Sequence, residues 1–177
     1  DCGKKERLLV TFKDVTRDLE GEISCRQGEN GVLKDHFPEA EVWYILEAIL
    51  RLEALMQTEG RLHGDIRSTT VFITEDGKIK FIDANIIDAN MTNLWKTVFN
   101  VYHCPISPEY MQAFNTRSYK ASDMNSIDEK SEVWSIGILL LSVCDLAKED
   151  TYYDWSRNEI RFKMIETSLE AVGRRYS

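Results

Sequence analysis

LHGDIRSTTVF, Leu62–Phe72, runs from a polar loop into a β-branched segment, and the turn beyond that segment sets the architecture. Val71–Ile73 and Ile79–Ile82 are short apolar runs separated by Glu75-Asp76-Gly77-Lys78, where Asp-Gly supplies the tight turn of a β-hairpin. The strands of a hairpin are antiparallel, so the loop before the first and the loop after the second emerge at the same end. Asp65 and Asp83 are thereby predicted to share one cleft.

Working outward, Pro38 suits the first turn of a helix and Glu39 and Glu41 favour its positive end. Val42, Ile45, Leu46, Ile49, Leu52, Leu55 and Met56 repeat on one face of it, and Gly60 ends it. Upstream, Arg7–Val15 (RLLVTFKDV) reads as a buried strand, followed by a polar turn, a short helix over Leu19–Cys25 and a loop marked by Gly28 and Gly31. Downstream, residues 126–146 predict a helix with Ser126 and Glu129 at capping-box spacing. Its apolar residues Val133, Trp134, Ile136, Ile138, Leu139, Leu140, Leu141 and Val143 surround most of the circumference, which places it at the centre of the molecule. Ile160, Met164, Ile165, Leu169 and Val172 predict a further amphipathic helix over Asn158–Val172.

The 177 residues suit one core rather than two. Hydrophobic content of 43% and charged content of 29% are those of a globular chain, without repeats or low-complexity tracts. A net charge of −8 opposes binding to nucleic-acid phosphates and to anionic membranes, both of which need a basic footprint. The longest apolar run, Ile136–Cys144, is far short of the roughly 20 residues that span a bilayer. The first residues lack an apolar signal core. Cys2, Cys25, Cys104 and Cys144 have no metal-binding spacing, which reads as reduced thiols in an intracellular chain. His103-Cys104 alone does not make a zinc site.

The order of these elements resembles a protein kinase C-lobe. His63-Gly64-Asp65 resembles the His-Arg-Asp catalytic loop, Asp83-Ala84-Asn85 stands where Asp-Phe-Gly is found, and Ser107-Pro108-Glu109 resembles Ala-Pro-Glu. Asp65 and Asp83 lie 18 residues apart across the hairpin, the separation usual in that family, and SEVWSIG (Ser131–Gly137) resembles the start of its central helix. His63-Gly64-Asp65-Ile66 and the terminal GRRYS are similar to strings in NIMA-related kinases. The resemblance implies an α+β, predominantly helical C-lobe with a short catalytic-loop hairpin, spanning residues 1–177 as one unit with the N-lobe largely absent. Residues 1–15 would be the last N-lobe strand and the hinge, with Phe12, Lys13 and Val15 facing a nucleotide, and residues 16–177 a C-lobe cut before its final helices. Lys13 is not the phosphate-anchoring strand lysine, because only 52 residues separate it from Asp65. Gly28–Gly31 (GENG) lacks the GxGxxG pattern and is a surface turn.

The resemblance gives Asp65 the place of the proton-accepting aspartate and Asp83 that of the magnesium ligand. Around them the supporting residues depart from the pattern. Thr70 replaces the asparagine that holds the second magnesium, and Arg67 replaces the phosphate-contacting lysine with a longer, planar cation. Gly64 removes the arginine that pairs with a phosphorylated activation loop, and Ala84 and Asn85 alter the metal-binding switch. Glu132 keeps the charge of the aspartate that anchors the loop from the central helix but adds a methylene. His63 is read as a packing residue and Glu109 as an ion-pair member, with Arg157 or Arg161 as stand-in partners. These departures imply a catalytically impaired pseudokinase acting as a scaffold for protein partners in a larger assembly, in the cytoplasm and in a cytoskeletal setting, with Glu109–Glu132 as a contact loop. No cofactor is expected, and ATP with magnesium only if nucleotide binding is retained. The alternatives are an active serine/threonine kinase and a nucleotide-binding module without turnover.

Overall fold

The computed structural model describes residues 14–28, 35–60, 62–81, 105–116 and 129–176. It is an α+β unit in which a three-stranded antiparallel sheet, β1 (Val15–Asp18), β2 (Val71–Thr74) and β3 (Ile79–Phe81), lies in the order β1-β2-β3. The helices are α1 (Leu19–Arg26), α2 (Glu39–Thr58), α3 (Pro108–Thr116), α4 (Glu129–Asp145) and α5 (Phe162–Arg175). A short 3-10 helix (Glu149–Tyr152) and a two-stranded hairpin, β4 (Tyr153–Asp154) and β5 (Glu159–Ile160), connect α4 to α5.

Helix α4 organises the interior, as its all-round apolar sequence predicts. Ile136, Leu139 and Val143 pack with Leu19, Ile23, Ile45, Ile49, Ile66 and Val71, while Ile138 and Leu141 pack with Ile106, Met111, Tyr152 and Tyr153. One helix thus supplies both cores. Val133, expected inside, is instead exposed, because the apolar circumference closes only from Ile136 onward. The C-terminal end of α4 is also well tied. Arg175 Nη1 donates to Cys144 O at 2.7 Å and Gln27 Nε2 to Leu146 O at 2.6 Å, which satisfies carbonyls that a helix terminus leaves unpaired, and Ser168 Oγ donates to the Asp145 carboxylate at 2.7 Å.

Helix α2 adopts its predicted face in part. Ile45, Ile49 and Met56 are buried, Leu55 is exposed, and the inward stripe contains an acidic residue, Glu53. Gly60 lies just past the helix with its N–H on Gln57 O, as expected. The hairpin pairs Val71 with Phe81 and Ile73 with Ile79. Its turn is closed by Gly77 N–H on Thr74 O at 3.0 Å, with Gly77 at φ +76°, a conformation that costs glycine little.

Three expectations are corrected. The polar turn after Val15 is strand β1, which pairs antiparallel with β2; at a sheet edge, polar side chains of Thr16 and Arg17 do not oppose strand geometry. Ile160 belongs to β5 rather than to the last helix, because Asn158 adopts φ +53° in the preceding turn and α5 starts only at Phe162. Glu109–Thr116 lies in helix α3 instead of a contact loop, and residues 117–128 fall outside the described set. The inward face of α5 is Ile165, Ser168 and Val172, leaving Met164 and Leu169 exposed. Ser126 and Arg7–Lys13 lie outside the described residues. No described helix is long and apolar enough to cross a membrane.

Replacing Leu139, which is fully buried where α4 meets α2, with alanine is expected to lower unfolding stability by about 2–5 kcal/mol in urea titration, through lost burial and a cavity.

Candidate functional site

The loop 62–70 is fixed from below by α4. Glu132, buried on the first turns of that helix, accepts the Gly64 N–H through Oε1 at 2.5 Å. The extra methylene relative to aspartate therefore does not break the anchor. Gly64 has φ +80°, which favours glycine over the arginine of the family pattern. His63 is 1% exposed, its Nδ1 accepts the Asp65 N–H at 3.3 Å, and its ring meets the edge of Phe81 with centroids 6.4 Å apart. The contact shows that the end of β3 does return beside the start of the loop, as antiparallel pairing requires.

Ser68 ties the other side of the loop. Its carbonyl accepts Leu19 N–H at 3.1 Å and Glu20 N–H at 3.2 Å from the N-terminus of α1. Its own N–H and hydroxyl donate to the two oxygens of Glu149, at 2.6 and 2.8 Å. Burial pushes the Glu149 carboxyl up, and the Ser68 donors pull it back towards the charged form. Glu20, Arg67, Ser68, Thr69, Lys148, Glu149 and Asp150 line a small cavity of about 120 Å³ here.

Asp65 is turned onto Arg67. Arg67 Nη2 donates to Asp65 Oδ2 at 3.0 Å, and Nε stands 2.9 Å from Oδ1, off the hydrogen-bond direction. Both side chains are about nine-tenths buried. Burial raises the Asp65 carboxyl above its ordinary range, while the Arg67 and His63 charges and the Arg67 hydrogen bond oppose that rise. Thr70 is likewise turned inward: its Oγ1 accepts Arg67 N–H at 3.2 Å and lies 2.7 Å from Asp65 O and 3.0 Å from Arg67 O. The hydroxyl proton is used within the loop backbone.

The structure thus gathers His63, Asp65, Arg67, Thr70 and Glu132 around one loop. Val15 lies in β1, whereas Phe12, Lys13 and Asp83 fall outside the described residues. Glu109 is exposed on the first turn of α3; Arg157 approaches Asp154 and Arg161 donates to the Thr151 carbonyl. No cluster of three or more His, Cys, Asp or Glu able to hold a metal occurs among the described residues. Cys25 and Cys144 are free thiols. Three polar residues of the site escape sequence reading: Glu53, Ser68 and Glu149. Glu53 leaves a trace, since it interrupts the Ile45–Ile49–Met56 stripe with an acid at an inward position. Ser68 and Glu149 meet across 81 residues without any local pattern.

No family model matches the chain. Proteins similar to it are kinases: the eIF-2-alpha kinase GCN2 of Schizosaccharomyces pombe, 23% identical over 124 residues, covering 64% of this chain and 8% of that protein; the serine/threonine-protein kinase Nek1 of Mus musculus, 28% identical over 116 residues, covering 66% and 9%; and a probable inactive serine/threonine-protein kinase of Dictyostelium discoideum, 24% identical over 152 residues, covering 80% and 18%. The chain therefore spans less than a fifth of the length of the relatives it matches. These similarities support a protein-kinase-like relationship, and the α+β fold is compatible with part of such a domain.

Removing one half of a buried ion pair leaves the other uncompensated. Arg67→Met is accordingly expected to destabilise the fold by about 3–5 kcal/mol, and Arg67→Met with Asp65→Asn to recover most of that loss, read by urea denaturation.

Proposed function

We propose that this chain is the C-lobe portion of a catalytically impaired kinase-like protein, and that it works as a protein-binding scaffold in a larger assembly. The observation that carries the reading is the Asp65–Arg67 pair. Phosphoryl transfer relies on an aspartate free to accept the substrate hydroxyl proton and on residues aimed at metal and phosphate. Here the aspartate faces the guanidinium at 3.0 Å, and the Thr70 hydroxyl that stands at the second metal position is engaged with the loop backbone. With Asp65 and Thr70 so engaged, the described loop residues favour a reading without a two-magnesium nucleotide site. Misplacement of about an ångström in such a site costs on the order of 100-fold in rate, and two displaced groups compound.

The similarity to a probable inactive kinase supports the same reading. Protein partners are favoured over nucleic acid or membrane by the net charge of −8, and the exposed Trp43, Leu50 and Leu55 on α2 and Phe162, Met164 and Leu169 on α5 give apolar area for contact. A cytoplasmic, cytoskeletal setting and a NIMA-related origin belong to this proposal.

A phosphotransfer assay on the complete protein, with Asp65→Asn and Asp83→Asn as controls, tests it. Incorporation no greater than in the two controls is expected. Turnover abolished by either substitution would establish an active serine/threonine kinase instead.

A further inference from the structure

Glu53 on α2 and Glu132 on α4 are 6% and 4% exposed and face each other across the contact between the two helices, close enough for one carboxyl to donate to the other. Glu132 uses Oε1 to accept the Gly64 N–H. Its Oε2 and Glu53 Oε1 are both buried without a donor among the described residues. The neighbouring polar groups are occupied elsewhere: the Ser107 and Ser131 hydroxyls pair with each other at 3.0 Å, and Ser135 donates to Pro105 O at 2.8 Å. Towards α3 and the loop, Glu132 lines a small cavity with Gly64, Tyr110, Ser107, Ser131 and Ser135, and no other charged residue among those described lines it. In the loop, His63 Nδ1 accepts the Asp65 backbone N–H and Arg67 donates to the Asp65 carboxylate.

Two buried acceptors without donors are costly, and one proton between them removes both vacancies at once. We propose that Glu53 is protonated at neutral pH and donates a hydrogen bond to the carboxylate of Glu132, and that loss of this proton is a switch that strains the α2–α4 contact and loosens the grip of Glu132 on Gly64, and so on the loop carrying Asp65. The proposal is independent of whether that loop transfers phosphate. Burial, then the hydrogen bond to Glu132 and its charge, push the Glu53 carboxyl up to about 8. The sign is set by linkage. Between the ordinary glutamate range and about 8 the folded chain keeps a proton that the unfolded chain has lost, so stability falls as pH rises through this window. Below the window the contribution is fully present; above it, two like charges occupy one buried space.

The test compares wild type with Glu53→Gln in the full chain. Glutamine keeps a donor towards Glu132 at every pH. From about pH 6 to about pH 9 the melting temperature of wild type is expected to fall relative to Glu53→Gln by about 5 °C, with the two close together at the acidic end. The Gly64 amide resonance of wild type is expected to titrate with a midpoint near 8 and to be flat in Glu53→Gln. Parallel melting curves together with a Gly64 resonance unmoved across this range would overturn the proposal. If Glu53→Gln does not fold, wild type alone decides. A Glu53 side-chain carboxyl carbon that titrates with the Gly64 amide supports the proton on Glu53, and one that completes its titration below about pH 6 refutes it.

Discussion

One backbone amide, Gly64 N–H, carries the constraint on which the rest of the structure depends. It is held by Glu132, and Glu132 belongs to the helix that supplies both apolar cores. The loop therefore inherits its position from the most deeply packed element of the molecule. Ser68 repeats the arrangement on the other side, joined to the N-terminus of α1 through its carbonyl and to Glu149 through its N–H and hydroxyl. A loop pinned at both ends by buried carboxylates is rigid because releasing either end strands an ionisable group away from water.

Within that rigid loop, the departures from the kinase pattern share one physical direction. Among the described residues, Arg67 and Thr70, which the kinase pattern would aim at phosphate and metal, bond within the loop. Arg67 folds back on Asp65, Thr70 bonds the backbone of residues 65 and 67, and Gly64 relieves a left-handed backbone position that a larger residue would strain. Asp65 and Arg67 share a hydrogen bond at 3.0 Å, and the Thr70 hydroxyl is held by the loop backbone. The fold is compatible with part of a kinase-like domain, and in its loop the Arg67 and Thr70 side chains bond inward.

The elements legible in the sequence were those with strong local periodicity. The apolar circumference from Ile136 to Val143, the Ile45–Ile49–Met56 stripe, and the Glu75–Lys78 turn all appear where the pattern places them. The start of β1 and the boundary of α5 were not legible, since edge-strand pairing at Arg17 and a positive φ at Asn158 depend on tertiary partners and a single turn residue. The site divides in the same way. His63, Asp65, Arg67, Thr70 and Glu132 could be named from motif order. The pairing of Asp65 with Arg67 could not, because it rests on side-chain direction. Ser68 with Glu149, and Glu53 with Glu132, join residues far apart in sequence, and only the Glu53 interruption of an apolar stripe left any local mark.

The most direct measurement is a crystal structure of the complete protein grown with magnesium and a non-hydrolysable ATP analogue. An Asp65 paired with Arg67 predicts that its carboxylate stays on the Arg67 guanidinium, near the 3.0 Å seen here, with the Thr70 hydroxyl still bonded inside the loop. Asp65 turned away from Arg67 towards an ordered nucleotide, with Thr70 and Asp83 both coordinating magnesium, would contradict it.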